Sequence, residues 1–223
     1  MTDMFRGNCL LDSALEQWDV SRVSSMRRTF MFTNCQPGNN GGGRYIDSNH
    51  PILNTPLEKW DVSNVKTMAN MFGGSPFNRT INNWDVSNVT DMAGMFGCND
   101  NEYLYNHFNQ GLSAWNVSNV KRMSNMFLRA KYFDQDLSAW NVSNVNDMNN
   151  MFRGATSFNN DNKNISKWNI SKVTNMERMF EDATSFNQNL SSWNVQGKQT
   201  SNMFKGTPME KICASLPKGI TCN

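Results

Sequence analysis

Along most of the chain, apolar side chains recur in one fixed phrase, V-x-x-M-x-x-M-F, which places them at i, i+3, i+6 and i+7. That spacing predicts one face of a helix about two turns long. Ser63, Ser87, Ser118, Ser143 and Ser171 lie just before the phrase as N-cap candidates. Upstream, W-[DN]-[VI] alternates apolar, polar, apolar, and so predicts a short half-buried strand. A polar stretch containing F-N closes the unit as a return loop.

The tryptophans set the phase of a repeat. They stand at Trp18, Trp60, Trp84, Trp115, Trp140, Trp168 and Trp193, with steps of 42, 24, 31, 25, 28 and 25 residues. The pattern is nearly complete in LSAWNVSNVNDMNNMFRGATSFN, residues 137–159. The first unit has Thr29 where the second Met belongs, and the last, WNVQGKQTSNMF, has lost a residue and its Ser, as terminal units do. Met1, Met4 and Phe5 align with the M-x-x-M-F part of a preceding unit, so the chain begins in mid-repeat. One unit has too few apolar side chains to offset the ordering of its own backbone, and units stacked in register would share one interior. The fold expected is an α/β solenoid, a leucine-rich-repeat-like stack of about seven to eight coils of about 25 residues, each a short parallel strand plus a short helix. It spans residues 1–206, and residues 207–223 form a C-terminal cap in which Met209, Ile212, Cys213 and Leu216 share a helical face.

Composition follows from the repeat. The 16 methionines, seven tryptophans and 14 phenylalanines of the 223 residues are positional, and about 35 asparagines fit turns and intercoil ladders. The residue after Trp is Asp19, Asp61 and Asp85, then Asn116, Asn141, Asn169 and Asn194. A metal column would keep carboxylates throughout, so this position reads as turn capping. The N-x-[ST] sites at Asn116, Asn141 and Asn169 are by-products of the same phrase.

The string W-[DN]-V-S-x-V-x-x-M-x-x-M-F, with F-N-x-x-L before the next Trp, resembles the repeat of the BspA-like leucine-rich-repeat surface proteins. It is also similar to repeats of mycoplasma-type lipoproteins and of some large DNA viruses. The resemblance covers residues 1 to about 206. It implies a non-catalytic parallel β-solenoid with short helices, used for adhesion or protein binding.

Charge and chemistry narrow the function classes. Net charge is +2, from 21 basic and 19 acidic residues scattered along the chain, so no basic stripe awaits a nucleic acid. Mean hydropathy is −0.62 and no apolar run approaches a membrane span, so no membrane insertion is expected. His50 and His107 are the only histidines, too few for a His-based metal cluster. The chain has no G-x-S-x-G, no Walker loop and no G-x-G-x-x-G; Gly41, Gly42 and Gly43 read as a flexible insert. The stretch Asn160–Asn164 lacks the sixth-position glycine and terminal Glu of a calcium loop. We therefore expect no catalytic residue, no metal and no cofactor. The five cysteines, Cys9, Cys35, Cys98, Cys213 and Cys222, contain no C-x-x-C; Cys213 and Cys222 are placed to staple the cap in an oxidising compartment.

The functional signal lies in the insertions. Residues 31–56 and 97–107 enter at the same point of the repeat, after M-F, and so emerge along one edge. They carry Arg44, Tyr45, His50, Tyr103, Tyr105 and His107, contact residues that combine apolar area with hydrogen-bonding tips. The expected function is protein binding or adhesion through these loops, at a cell surface or outside the cell. The alternative is a structural subunit, as in a virus particle, docking through an uncapped N-terminal coil that bears Met1, Met4 and Phe5. The chain shows no signal peptide, which leaves the cytoplasm open.

Overall fold

A computed structural model describes residues 1–7, 14–31, 55–98 and 106–221. Among them the repeat units lie one on another, linked by isolated parallel bridges that join Ser25, Thr67, Asp91, Arg122, Asp147, Asn175 and Gln199 in succession. The elements inside each coil differ from those the spacing predicts. Among the described residues there is no helix of seven residues or more and no strand, only short 3-10 turns at Leu15–Gln17, Asn160–Asn162, Pro208–Lys211 and Cys213–Ser215. The expected α/β solenoid is therefore incorrect, and each coil is a chain of β-turns.

Backbone dihedrals explain why no helix forms. The residue before the second Met of M-x-x-M-F is left-handed in every unit: Asp3, Arg28, Asn70, Gly94, Asn125, Asn150, Arg178 and Asn202 have φ between 52° and 65°. One left-handed residue every turn breaks an α-helix and instead produces a turn with positive φ at its third residue. Met71 N–H donates to the Met68 carbonyl at 3.0 Å and Ser75 to Phe72 at 3.0 Å, closing such turns around left-handed Asn70 and Gly74, and Gly73 donates to Asn70 at 3.2 Å in the turn between them. The amides between them point the other way. Met68 N–H donates to Asp91 in the next coil at 2.9 Å, Asn70 to Ala93 at 2.8 Å, Phe72 to Met95 at 2.9 Å and Gly74 to Gly97 at 2.8 Å. Alternate amides thus close turns and join coils, and the backbone is satisfied without a regular element. Linked turns return an apolar residue inward every third position, which is the period that a helix also shows.

At W-[DN]-V the inward and outward alternation is as expected, with Trp60 and Val62 buried and Asp61 exposed, yet the coils are joined there by side chains. From Trp60 to Trp193 each indole N–H donates to a carbonyl of the preceding coil, as from Trp60 to Leu15 at 2.8 Å and from Trp140 to Leu112 at 3.0 Å. Asn64, Asn88, Asn119 and Asn144 donate to the carbonyls of Ser21, Ser63, Ser87 and Ser118 at 2.7 to 2.9 Å. The serines expected as N-caps have no helix to cap. Their amides are received by the Asp or Asn two residues earlier, as from Ser63 to Asp61 at 3.0 Å and from Ser143 to Asn141 at 3.1 Å.

The interior is two columns of stacked rings. Phe30, Phe72, Phe96, Phe127, Phe152, Phe180 and Phe204 follow one another at centroid spacings of 5.5 to 5.8 Å. Phe77, Phe108, Phe133, Phe158 and Phe186 form the second column at 6.0 to 6.3 Å. The columns touch, as at Phe152 and Phe158, 3.8 Å apart. Residues 208–220 lie against the last coil, where Met209 and Leu216 are buried. The expected helical face of this tail is absent, because Ile212 and Cys213 point to solvent. Cys213 is disulfide-bonded; Cys9, Cys35 and Cys222 lie outside the described residues.

The turn after Trp has a measurable consequence. The hydroxyl of Ser21 and then its amide hold the Asp19 carboxyl below the usual carboxylate range, and Ser63 and Ser87 do the same for Asp61 and Asp85. Each folded-state value lies below the unfolded one, so the contribution is present above about pH 4 and is lost as pH falls through the folded-state value. In the triple variant Asp19→Asn, Asp61→Asn, Asp85→Asn the urea midpoint should fall less on acidification from about pH 5 to pH 3 than in the parent chain. Equal falls would show that these turns do not sense pH.

Candidate functional site

The edge that carries the inserts is built by the residues after M-F. Cys98 is buried and its amide donates to Leu128 of the next coil at 2.8 Å. On the far side of the insert, buried Asn106 donates to the Phe72 carbonyl at 3.0 Å while its Oδ1 accepts from Phe108 N–H at 2.9 Å. That clamp returns the chain to the phenylalanine column whatever the insert does. It leaves His107 outside, between buried Asn106 and Phe108.

One coil further on, Tyr132 occupies the position equivalent to His107, immediately before the second-column Phe133. The two rings are 5.3 Å apart and tilted by 32°. Tyr132 is 45% exposed, and Lys131 Nζ sits 5.5 Å above its ring. Partial desolvation holds the His107 imidazole below its ordinary pKa, so it is mainly neutral near pH 7. Aromatic faces, a neutral imidazole and an ammonium group form a small amphipathic patch at the root of the second insert. Tyr132 and Lys131 escape a search confined to insertions because they sit in a unit of regular length. The signal that finds them is the residue before the second Phe, a variable position that points outward in each unit.

Of the other residues expected at this edge, Arg44, Tyr45, His50, Tyr103 and Tyr105 lie outside the described residues. Met1, Met4 and Phe5 continue the stack as the alignment predicts. The Phe5 amide donates to Thr29 at 2.9 Å, and the Phe5 ring stacks on Phe30 at 5.5 Å. No His, Cys, Asp or Glu cluster suited to a metal exists among the described residues. Asn160, Asp161 and Asn162 are left-handed in succession, and buried Asn160 accepts from Leu137 N–H at 2.7 Å. The stretch that partly matches a calcium loop is therefore a plug in the stack. Glu181 is a buried carboxylate flanked by Arg153 at 2.8 Å and Lys205 at 3.4 Å, its neighbours in the coils on either side.

The family described as Mycoplasma protein of unknown function, DUF285, matches residues 1–98, 44–161 and 99–213. The chain belongs to this DUF285 family. No curated protein and no solved structure matches it. The three overlapping matches fall on the stacked units, so the family is defined by the repeat, and it carries no assigned function. For a DUF285 chain, then, function has to be argued from what the repeat leaves on the surface. No helix among the described residues is long and apolar enough to cross a membrane.

Proposed function

We propose that this chain is a non-catalytic protein-binding or adhesion module whose contact surface is the edge carrying the 31–56 and 97–107 inserts. The observation that carries the reading is the pair His107 and Tyr132, two solvent-facing rings at the root of an insert in a molecule whose other rings are mostly committed to the interior. Aromatic and basic side chains held on a rigid frame are the residue types that anchor protein interfaces. The likeness of the repeat to the BspA-like surface proteins supports the same reading and a location at a cell surface.

A photo-crosslinking residue at Tyr132, compared with one at the exposed Asn146, tests it in the native cellular setting. Position 132 should give a discrete cross-linked partner that position 146 does not, and deletion of residues 34–54 should remove it. Equal labelling from both positions, or labelling that survives the deletion, would overturn the assignment of the edge.

A second reading, a structural subunit of a larger assembly such as a virus particle, is favoured by one feature of the N-terminal end. Met4 is 51% and Trp18 40% exposed, whereas the six other tryptophans are at most 4% exposed. The exposed indole and thioether offer a partner apolar area.

A further inference from the structure

Six residues separate Phe158 from Ile165, whereas three separate Phe133 from Leu137 and Phe186 from Leu190. The left-handed run Asn160–Asn162 accommodates the extra residues, and residues 161–164 are exposed as a loop. Between that loop and the next coil lies a cleft of about 240 Å³. It is lined by Asn162, Lys163 and Asn164 of the loop and by Asn187, Gln188 and Asn189 of the next coil, with Asn159 beside them. Every lining side chain is an amide or an ammonium. No apolar side chain and no carboxylate takes part, and Asp161 belongs to the loop without lining the cleft. Buried Gln188 fixes the shape: its Nε2 donates to the carbonyls of Asn159 at 2.7 Å and Lys163 at 2.6 Å, and its Oε1 accepts from Ile165 N–H at 3.1 Å. The cleft is therefore formed before any ligand arrives.

The fold also decides which end of each amide is left over. A backbone N–H can be received only by the oxygen of an amide, so Asn164 Oδ1 is committed to Ser166 at 2.6 Å and Asn189 Oδ1 to Ser191 at 3.0 Å. Asn159 Oδ1 accepts from Asn187 N–H at 3.1 Å in the same way, and its Nδ2 then donates to Asn162 Oδ1 at 3.1 Å. Among the described residues the Nδ2 groups of Asn162, Asn164 and Asn189 and the Lys163 ammonium have no partner. Asn187 keeps both ends of its side-chain amide. The turns themselves do not call for amides here. In the preceding unit Asp136 Oδ1 accepts from Ser138 N–H at 2.8 Å, so at this position an oxygen is enough.

We infer that the cleft binds a carboxylate-bearing sugar residue of a glycan. Amide N–H donors beside one ammonium select an anion rich in acceptors. A lining without apolar side chains has nothing to receive the aromatic and aliphatic anchors of a peptide. Asn187, which can both give and receive a hydrogen bond, suits a hydroxyl. The volume lies below the roughly 300–1,000 Å³ of sites for drug-sized ligands, which limits the occupant to about one sugar ring. The cleft shares no residue with the edge at His107 and Tyr132, so the two assignments stand or fall separately.

Titration of the full nitrogen-labelled chain with methyl glucuronide, sialic acid, methyl glucoside and acetate tests this by the amide shifts of the cleft residues. At least one of the two sugar acids should move the side-chain amides of Asn162, Asn164 and Asn189 saturably. It should bind about tenfold or more tightly than the glucoside, which lacks the carboxylate, or acetate, which lacks the hydroxyls. The double variant Asn164→Asp, Asn189→Asp keeps both turn oxygens, so it should retain the parent urea midpoint while binding of the sugar acid falls about tenfold or more. Lys163→Gln, a change at an exposed side chain outside the turns, should bring the sugar acid down to the level of the glucoside. Silence from both sugar acids overturns the proposal. So does a glucoside or acetate that binds as tightly as they do, and so does binding that Lys163→Gln and the folded double variant both leave unchanged.

Discussion

Phe152→Ala should lower the unfolding free energy by about 3–5 kcal/mol, read as a fall in the urea midpoint. Phe152 has no solvent exposure, stacks on Phe127 at 5.5 Å and on Phe180 at 5.6 Å, and meets Phe158 of the second column at 3.8 Å. Truncation breaks the first column and removes its contact with Phe158 of the second. The cavity cannot close, because the coils above and below are held at ladder spacing by Phe127 N–H to Met151 and Phe152 N–H to Met179, both at 2.9 Å. Stability in a stack is passed between neighbours, so a break at an interior coil also weakens the contact between the parts on either side of it. A loss below about 1 kcal/mol would mean that the rings do not form a packed interior.

Gly97→Ala should be nearly as damaging, at the upper end of the roughly 1–3 kcal/mol seen for overpacking, although it adds a single methyl group. A Cβ at Gly97 would collide with the backbone carbonyl oxygen of Asn125 and press on Leu128 Cβ at 3.3 Å. Backbone oxygen has no rotamer with which to retreat, so the coils must part there. Gly73 holds the same register position one coil earlier, and its Cβ would meet nothing closer than 3.4 Å. Gly73→Ala should therefore stay within about 0.5 kcal/mol of the parent. Similar urea midpoints for the two alanine variants would show that the close approach of Gly97 to Asn125 does not exist.

The position before the second Met shows how far the sequence could be read. Asn70, Gly94, Asn125, Asn150 and Asn202 are the residue types that tolerate positive φ, and their recurrence there is a turn signal that lies within the apolar spacing. Arg28 and Arg178, which carry no such preference, adopt the same conformation because the ladder on either side holds them in it. A three-residue apolar period belongs equally to a helix and to linked turns, and only the dihedrals separate them. The edge site divides in the same way. His107 is legible as an outlier in an insert, whereas Tyr132 gains its meaning from the ring 5.3 Å away in the next coil.

By itself the sequence determined the repeat, its register and the inward side chains, because burial acts on each unit alike and leaves the same apolar residues at the same places. It also determined that Met1, Met4 and Phe5 belong to a unit preceding that of Trp18. The tertiary structure alone decided what joins one coil to the next. An amide that closes its own turn and an amide that reaches its neighbour are the same chemical group, and which it does depends on where the next coil lies.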